Sequence, residues 1–301
     1  MTSLQNQQSN ALMAGLIILA AGLLERNKYL GATLCLVASV YVKLFGVVGF
    51  ALFLLYPRRK KLALYTLFWA AALGAAPLIF VSPAQYGDLL VSYWNMLAQD
   101  HAVSAGVSIM GVLNPWLGGE IDKNFTVLIG AIIFMLPFCR RQSFADLRFR
   151  MLLLSSVLLW VIIFNHRSES PTMIIAVAGA AIWFMASAKN LIDRVLLVAV
   201  LSITSLAVVG VGLWYGCGEK RKIYPGLFVA LAVIVALVAP DIFPPSFRRQ
   251  YITPYAIKAV PCILIWLKLT CDLLAGKFSG AGEIKEPLML RGQQKEANFY
   301  E

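Results

Sequence analysis

The sequence is short of charge, and of acid above all. Charged residues make up 14% of the 301, and 15 acidic residues face 26 lysines and arginines. At 60% hydrophobic residues, the chain carries more apolar surface than a soluble core of this size requires. Cysteine is sparse and unpaired. Cys35, Cys139, Cys217, Cys262 and Cys271 form no C-x-x-C, so neither a zinc site nor a disulfide framework is indicated and they read as small packing residues. There is no P-loop, no H-E-x-x-H and no G-x-S-x-G, and no internal repeat. The opening MTSLQNQQSN lacks the basic region a signal peptide needs, so no cleavable signal is expected, and it leads straight into the apolar run from Ala11.

What the chain has is long apolar runs. Several approach or exceed the roughly 20 residues that span a bilayer, and they are continuous rather than alternating, so helices are predicted and a barrel is not. The net charge of +11 is concentrated in short loops: Arg58–Lys61, Arg140–Arg141, Arg148 and Arg150. That is the positive-inside pattern of cytoplasmic loops facing anionic lipid. No basic face with interleaved aromatics stands outside the loops, so nucleic acid is not expected as a partner.

The runs predict an all-α polytopic membrane bundle of about 9–10 membrane helices, some short or re-entrant. Residues 1–276 form one transmembrane domain, and 277–301 form a polar tail. The first span is Ala11–Leu24. The stretch Tyr29–Tyr56 carries Lys43 in its middle and is basic at both ends. It reads as one span with a central lysine or, preferably, as a hairpin of two short helices with Lys43 near its apex. Leu62–Val81 follows, kinked or ended by Pro77, then a long polar outer stretch, 82–123. Phe125–Phe138, Met151–Phe164 and Met173–Ser187 cross in turn, and Val195–Cys217, Ile223–Pro240 and Ala256–Leu274 complete the set. Simple counting puts the C-terminal tail outside.

The candidate residues lie on the predicted outer face. NHRSESPT, residues 165–172, separates two apolar runs. Pro171 suits the first turn of the following helix, and Ser170 is its expected N-cap. A helix N-terminus beside His166 and Arg167 makes an anion site for phosphate or carboxylate, with Glu169 holding Arg167 or acting as a base. A solvated turn pairing Arg167 with Glu169 is the alternative. Lys43, cationic within an apolar run, either snorkels or meets a lipid phosphate. Gln5, Gln8 and Asn10 head the first span as a polar cap or as binding groups. Asp100 and His101 are either an acid–base pair or a surface pair. Tyr86, Tyr93, Trp94 and Trp116 read as interfacial anchors rather than a sugar-stacking surface. Asn124-Phe125-Thr126 matches a glycosylation sequon, with little weight in this context.

The order of these features resembles glycosyltransferase family 87. The stretch from Gln5 to Lys61 looks like the middle of that family. Gln8 and Asn10 head a helix, Glu25–Lys28 form a loop, and Gly31–Val42 is a small-residue helix ending at Lys43. A second short helix then runs to Arg58–Lys61. DHAVSAGVSIMGVL and IIFNHRSESPTMIIAVAGAAIWF, residues 100–113 and 162–184, are also similar to bacterial members. The likeness covers most of residues 5–190 and thins beyond.

The resemblance implies a GT-C fold with its site on the extracytoplasmic face of a bacterial inner membrane. It also implies transfer of a hexose, often mannose, from a polyprenyl-phosphate donor to a glycolipid or glycan acceptor, with inversion and with no metal or other cofactor. A carboxylate deprotonates the acceptor, and cations steady the departing phosphate. On that basis Asp100 and Glu169 are the catalytic candidates, and Gln8, Asn10, Lys43, His101, His166 and Arg167 the substrate-binding ones. The family's usual catalytic aspartate lies in a loop ahead of the Q-x-N region, so the chain is expected to be N-terminally incomplete and weakly active alone. Two other readings stay open: a transporter or flippase for an anionic lipid or solute, and a non-catalytic membrane fragment.

Overall fold

The computed structural model describes residues 8–98, 106–119, 121–187, 189–203 and 255–276. Among them every regular element is helical. Helix α1 is Asn10–Glu25 and α2 is Tyr29–Val42. A 3-10 helix, Leu44–Leu55, follows and α3 is Arg59–Ala75. Then come α4, Pro83–Ala98, α5, Ile109–Leu117, and α6, Lys123–Met135. Leu147–Ile163 is α7, Met173–Ala186 is α8, Leu191–Ile203 is α9 and Val260–Ala275 is α10.

The most buried element is α7. Phe149, Leu153, Val157, Leu158, Leu159 and Ile163 are wholly enclosed, so apolar residues surround its axis. A helix greasy on all sides must be covered on all sides. It is covered by α8, by α10 and by Leu44–Leu55. The approach of α8 is close because Gly179 leaves room: the Ser155 hydroxyl donates to the Gly179 carbonyl at 2.7 Å. On another side Trp266 of α10 donates its indole N–H to the Ser156 hydroxyl at 3.0 Å. Its ring meets Phe164 edge-on at 5.2 Å, an arrangement that aromatic quadrupoles favour.

Residues 29–55 form a hairpin that breaks at Lys43, whose φ of −153° and ψ of 130° are extended rather than helical. The two arms touch backbone to backbone at Gly46. A Cβ placed there would stand 2.7 Å from the Ser39 carbonyl carbon and 2.8 Å from its oxygen. Glycine is therefore required at this position for lack of volume. The second arm, at 12 residues, is an unusually long 3-10 run.

The bundle has two distinct ends. At the basic end, Arg150 grips Glu25 with two hydrogen bonds, Nε to Oε1 at 2.6 Å and Nη2 to Oε2 at 2.7 Å. Tyr56 donates to the same carboxylate at 2.6 Å. Arg140 donates to the Leu274 carbonyl at 2.5 Å, so α10 finishes at this end. At the opposite end, Lys258, just ahead of α10, donates to Ser170 at 3.1 Å. These contacts correct the helix count: the chain leaves α10 at the basic end, not beside NHRSESPT. Counting failed because the parity depends on residues 204–254, which lie outside the described set along with the predicted Ile223–Pro240 span and the 277–301 tail.

Among the described residues one helical segment, Arg59–Ile79, is long and apolar enough to cross a membrane. It continues α3 through a 3-10 turn at Ala76–Ile79 that holds Pro77. Leu64, Leu67 and Phe68 on α3, Leu89, Val91 and Trp94 on α4, and Phe125, Leu128 and Ile132 on α6 are all exposed. Large apolar side chains exposed in such number are unusual on a surface that meets only water.

Candidate functional site

Three elements meet at the end opposite the arginines: the head of α1, the apex of the 29–55 hairpin and the 165–172 turn. Asn10 opens α1 and is fully buried. Its amide is oriented by both neighbours. The Oδ1 accepts from the Lys43 ammonium at 2.7 Å, and the Nδ2 donates to Gln8 Oε1 at 2.6 Å. Thus Gln8, Asn10 and Lys43 form one chain of hydrogen bonds across 33 residues of sequence separation. The break in helix at Lys43 is what frees its stem to reach Asn10 instead of continuing along the hairpin. The Glu169 carboxylate lies near enough to act on the same ammonium.

The 165–172 turn is built from its own side chains. Asn165 Oδ1 accepts from the Arg167 N–H at 3.0 Å, and the buried Ser168 hydroxyl donates to the Ile162 carbonyl at 2.8 Å. Ser170–Thr172 is a 3-10 turn leading into α8, with Pro171 in its first positions. The N-cap is Glu169, not Ser170. The Thr172 hydroxyl takes the Glu169 N–H at 3.1 Å, while the Glu169 side chain takes the Thr172 N–H, a reciprocal capping box. This changes the anion site read from the sequence. A carboxylate of the chain itself occupies the helix N-terminus, so an incoming anion must be held chiefly by cations around the turn.

The turn is fastened to the segment before α5. Val107 donates its N–H to the Ser168 carbonyl at 2.6 Å. Gly106 adopts φ +54°, and a Cβ on it would come within 2.7 Å of the His166 carbonyl oxygen and 2.5 Å of that of Ser168. Only glycine combines that backbone with that proximity. Ser108 then caps α5 by accepting from Gly111 N–H at 3.4 Å.

Of the residues read from the sequence, Gln8, Asn10 and Lys43 are directly joined, and Glu169 is their electrostatic neighbour. His166 and Arg167 stand in the same turn, half-buried and exposed respectively. Gln5, Asp100 and His101 lie outside the described residues. Tyr93, Trp94 and Trp116 are exposed on α4 and α5, while Tyr86 donates to the Gly74 carbonyl at 2.6 Å. Asn124 of the sequon sits within the first turn of α6. Among the described residues no group of three His, Cys, Asp or Glu side chains is placed to hold a metal ion.

One residue of this end escaped the sequence reading: Lys258, which reaches Ser170 from 88 residues away. Its signal was a cation heading the last apolar run, three residues ahead of Pro261. That repeats the order of Arg167 and Pro171 at the head of α8.

A family model for glycosyltransferase family 87 matches residues 1–164. No protein of curated function matches the chain.

Proposed function

The chain belongs to glycosyltransferase family 87, and from that premise we propose which transfer it performs. The donor is a polyprenyl-phosphate hexose, with mannose the favoured sugar. The acceptor is a hydroxyl of a glycolipid or glycan, met at the end of the bundle that carries Lys43 and the 165–172 turn. The observation that carries this reading is the Lys43 ammonium, held by a buried amide at a hairpin apex beside Glu169. Lys43 has two further N–H groups beyond the one bonded to Asn10, enough to grip phosphate oxygens.

In the transfer, the acceptor oxygen forms a bond to the anomeric carbon. The bond from that carbon to the phosphate oxygen breaks, and its electron pair leaves with the polyprenyl phosphate. The acceptor proton passes to a carboxylate, for which Glu169 is our candidate among the described residues. Lys43, His166 and Arg167 offset the charge that accumulates on the departing phosphate.

The same reading sets the chain in a bacterial inner membrane as a multi-pass protein. Loops rich in Arg and Lys at one end support a cytoplasmic placement there and an extracytoplasmic one for the Lys43 end. The exposed apolar faces of α3, α4 and α6 suit lipid contact. Helices of 13–17 residues reach about 20–25 Å at 1.5 Å per residue, less than the ~30 Å hydrocarbon core. A site at the ends of such helices lies below the lipid headgroups, where a lipid-linked phosphate can enter sideways.

The test is transfer by the purified full chain from radiolabelled polyprenyl-phosphate mannose to a lipid acceptor. Lys43→Met should lower the rate at least tenfold and Glu169→Gln should abolish it. Absence of transfer by the wild type, together with substrate-coupled flux in liposomes, would replace the transferase with a transporter.

A further inference from the structure

The family match ends at residue 164, yet the end of the bundle where Lys43 stands is completed by a residue far beyond it. Lys258 lies in a 3-10 turn, Ile257–Ala259, that opens α10. A cation is out of place there, because the N-terminal end of a helix carries partial positive charge of its own. The backbone makes an exception to deliver it. Ala256 is buried and adopts φ +44° and ψ +38°, a left-handed conformation that alanine ordinarily avoids. Val112 of α5 packs over this alanine together with Ala259, fixing the turn. The Lys258 ammonium then reaches the Ser170 hydroxyl at 3.1 Å. Ser170 adjoins Glu169, the carboxylate that acts on Lys43. Two lysines from distant parts of the chain thus converge on adjoining residues of one turn.

We propose that Lys258 is a second phosphate-binding residue, which with Lys43 brackets the Glu169–Ser170 turn and binds the leaving polyprenyl phosphate more tightly than the sugar-bearing donor. This rests on the transferase reading above. The chemistry makes the distinction. The donor is a phosphodiester with one negative charge, whereas the product is a phosphomonoester with close to two at neutral pH. As the anomeric carbon–oxygen bond breaks, the added charge develops on the phosphate, and a second ammonium stabilises the transition state more than the ground state.

The experiment compares wild type, Lys258→Met and Lys258→Arg as full-length chains in detergent micelles. Binding of a short polyprenyl phosphate and of the matching polyprenyl-phosphate mannose is measured by titration, and transfer by radiolabel. For Lys258→Met we expect product affinity to fall about tenfold, donor affinity less than threefold, and kcat by ten- to a hundredfold with KM nearly unchanged. Lys258→Arg should recover most of each loss. Equal weakening of both ligands, or unchanged product affinity, would overturn the assignment. A lowered Tm in Lys258→Met with wild-type product affinity would make Lys258 structural and also overturn it. Should the wild type bind polyprenyl phosphate yet transfer nothing, the transferase reading falls while the binding comparison still decides Lys258.

Discussion

Gly46→Ala tests whether the hairpin apex is set by backbone contact. The added Cβ would stand 2.7 Å from the Ser39 carbonyl carbon, against an ordinary contact of 3.4 Å or more, so the arms must part by about 0.7 Å. Backbone cannot rotate out of the way as a side chain can. The displacement feeds directly into Lys43, because Gly46 donates its N–H to the Lys43 carbonyl and Lys43 donates its own to Ser39, both at 2.9 Å. A shift of that size would stretch the 2.7 Å Lys43–Asn10 bond to about 3.4 Å, weakening it sharply. We expect about 1–3 kcal/mol of destabilisation from overpacking. The transfer rate should drop roughly tenfold to a hundredfold, since misplacement near 1 Å costs on that scale. Two controls grade the effect. At Gly49 the Cβ would meet the Leu36 Cδ2, a side-chain end that can move, so Gly49→Ala should cost less. At Gly22 it would meet nothing within 4 Å, so Gly22→Ala should leave melting and rate unchanged or slightly improved. Thermal melts in micelles and initial transfer rates are the assays. The ranking Gly46, Gly49, Gly22 must hold; a Gly46→Ala protein with wild-type melting and wild-type rate would refute the reasoning.

The arginine clamp at the other end should behave as a coupled pair. Arg150→Met strands the Glu25 carboxylate with the Tyr56 hydroxyl as its remaining partner, at a cost of about 2 kcal/mol, below the usual figure for a buried pair because both side chains keep some exposure. Adding Glu25→Gln should recover more than half of that loss in a double-mutant cycle read by denaturant titration, and strict additivity would show that the pair is not coupled. At Gly106, alanine must take φ +54° and push on the 166–168 carbonyls, so Gly106→Ala should cost about 2 kcal/mol or more. Gly118→Ala, at φ +68° with nothing within 4 Å, should cost only the backbone part, about 1 kcal/mol. Equal melting shifts in the two variants would mean that Gly106 does not pack against the turn.

Local features were legible in the sequence wherever one residue settles the matter. A lysine amid apolar residues, flanked by basic ends, reads as a hairpin apex, and the helix does break there. Pro171 in the first turn of a helix is equally local. The N-cap was less so. Ser170 outranks Glu169 by residue type, but the Thr172 hydroxyl reaching back to the Glu169 N–H decides the register. The pairings that define the site could not be read at all. Lys43 and Asn10 are both visible as candidates, yet nothing in a single sequence says that an amide 33 residues away is the partner. Lys258 was not among the candidates, and nothing in a single sequence says that a hydroxyl 88 residues earlier is its partner. The side on which α10 ends was beyond counting, since it rests on the Arg140–Leu274 and Lys258–Ser170 contacts and not on the length of any run.

The two ends of the bundle treat their cations differently, and the difference bears on function. Toward the basic end, Arg150 is matched in two hydrogen bonds by one carboxylate, and Lys268 is matched by two, Asp193 at 2.9 Å and Asp272 at 2.5 Å. Asp193 has no exposed surface, and removing its lysine would strand a buried charge. Such cations are committed: another anion would have to displace a carboxylate already in place. Lys43 instead donates to an amide oxygen, with a carboxylate near but not hydrogen-bonded to it. Exchanging a neutral acceptor for a phosphate oxygen gains a charge-assisted hydrogen bond and gives up a weaker one. When the ammonium moves to a phosphate, the Asn10 Nδ2 keeps its bond to Gln8, which holds the amide in place for the ammonium's return. A cation meant only for architecture has no use for so exchangeable a partner. A cation that must accept a phosphate in every turnover and release it again requires one.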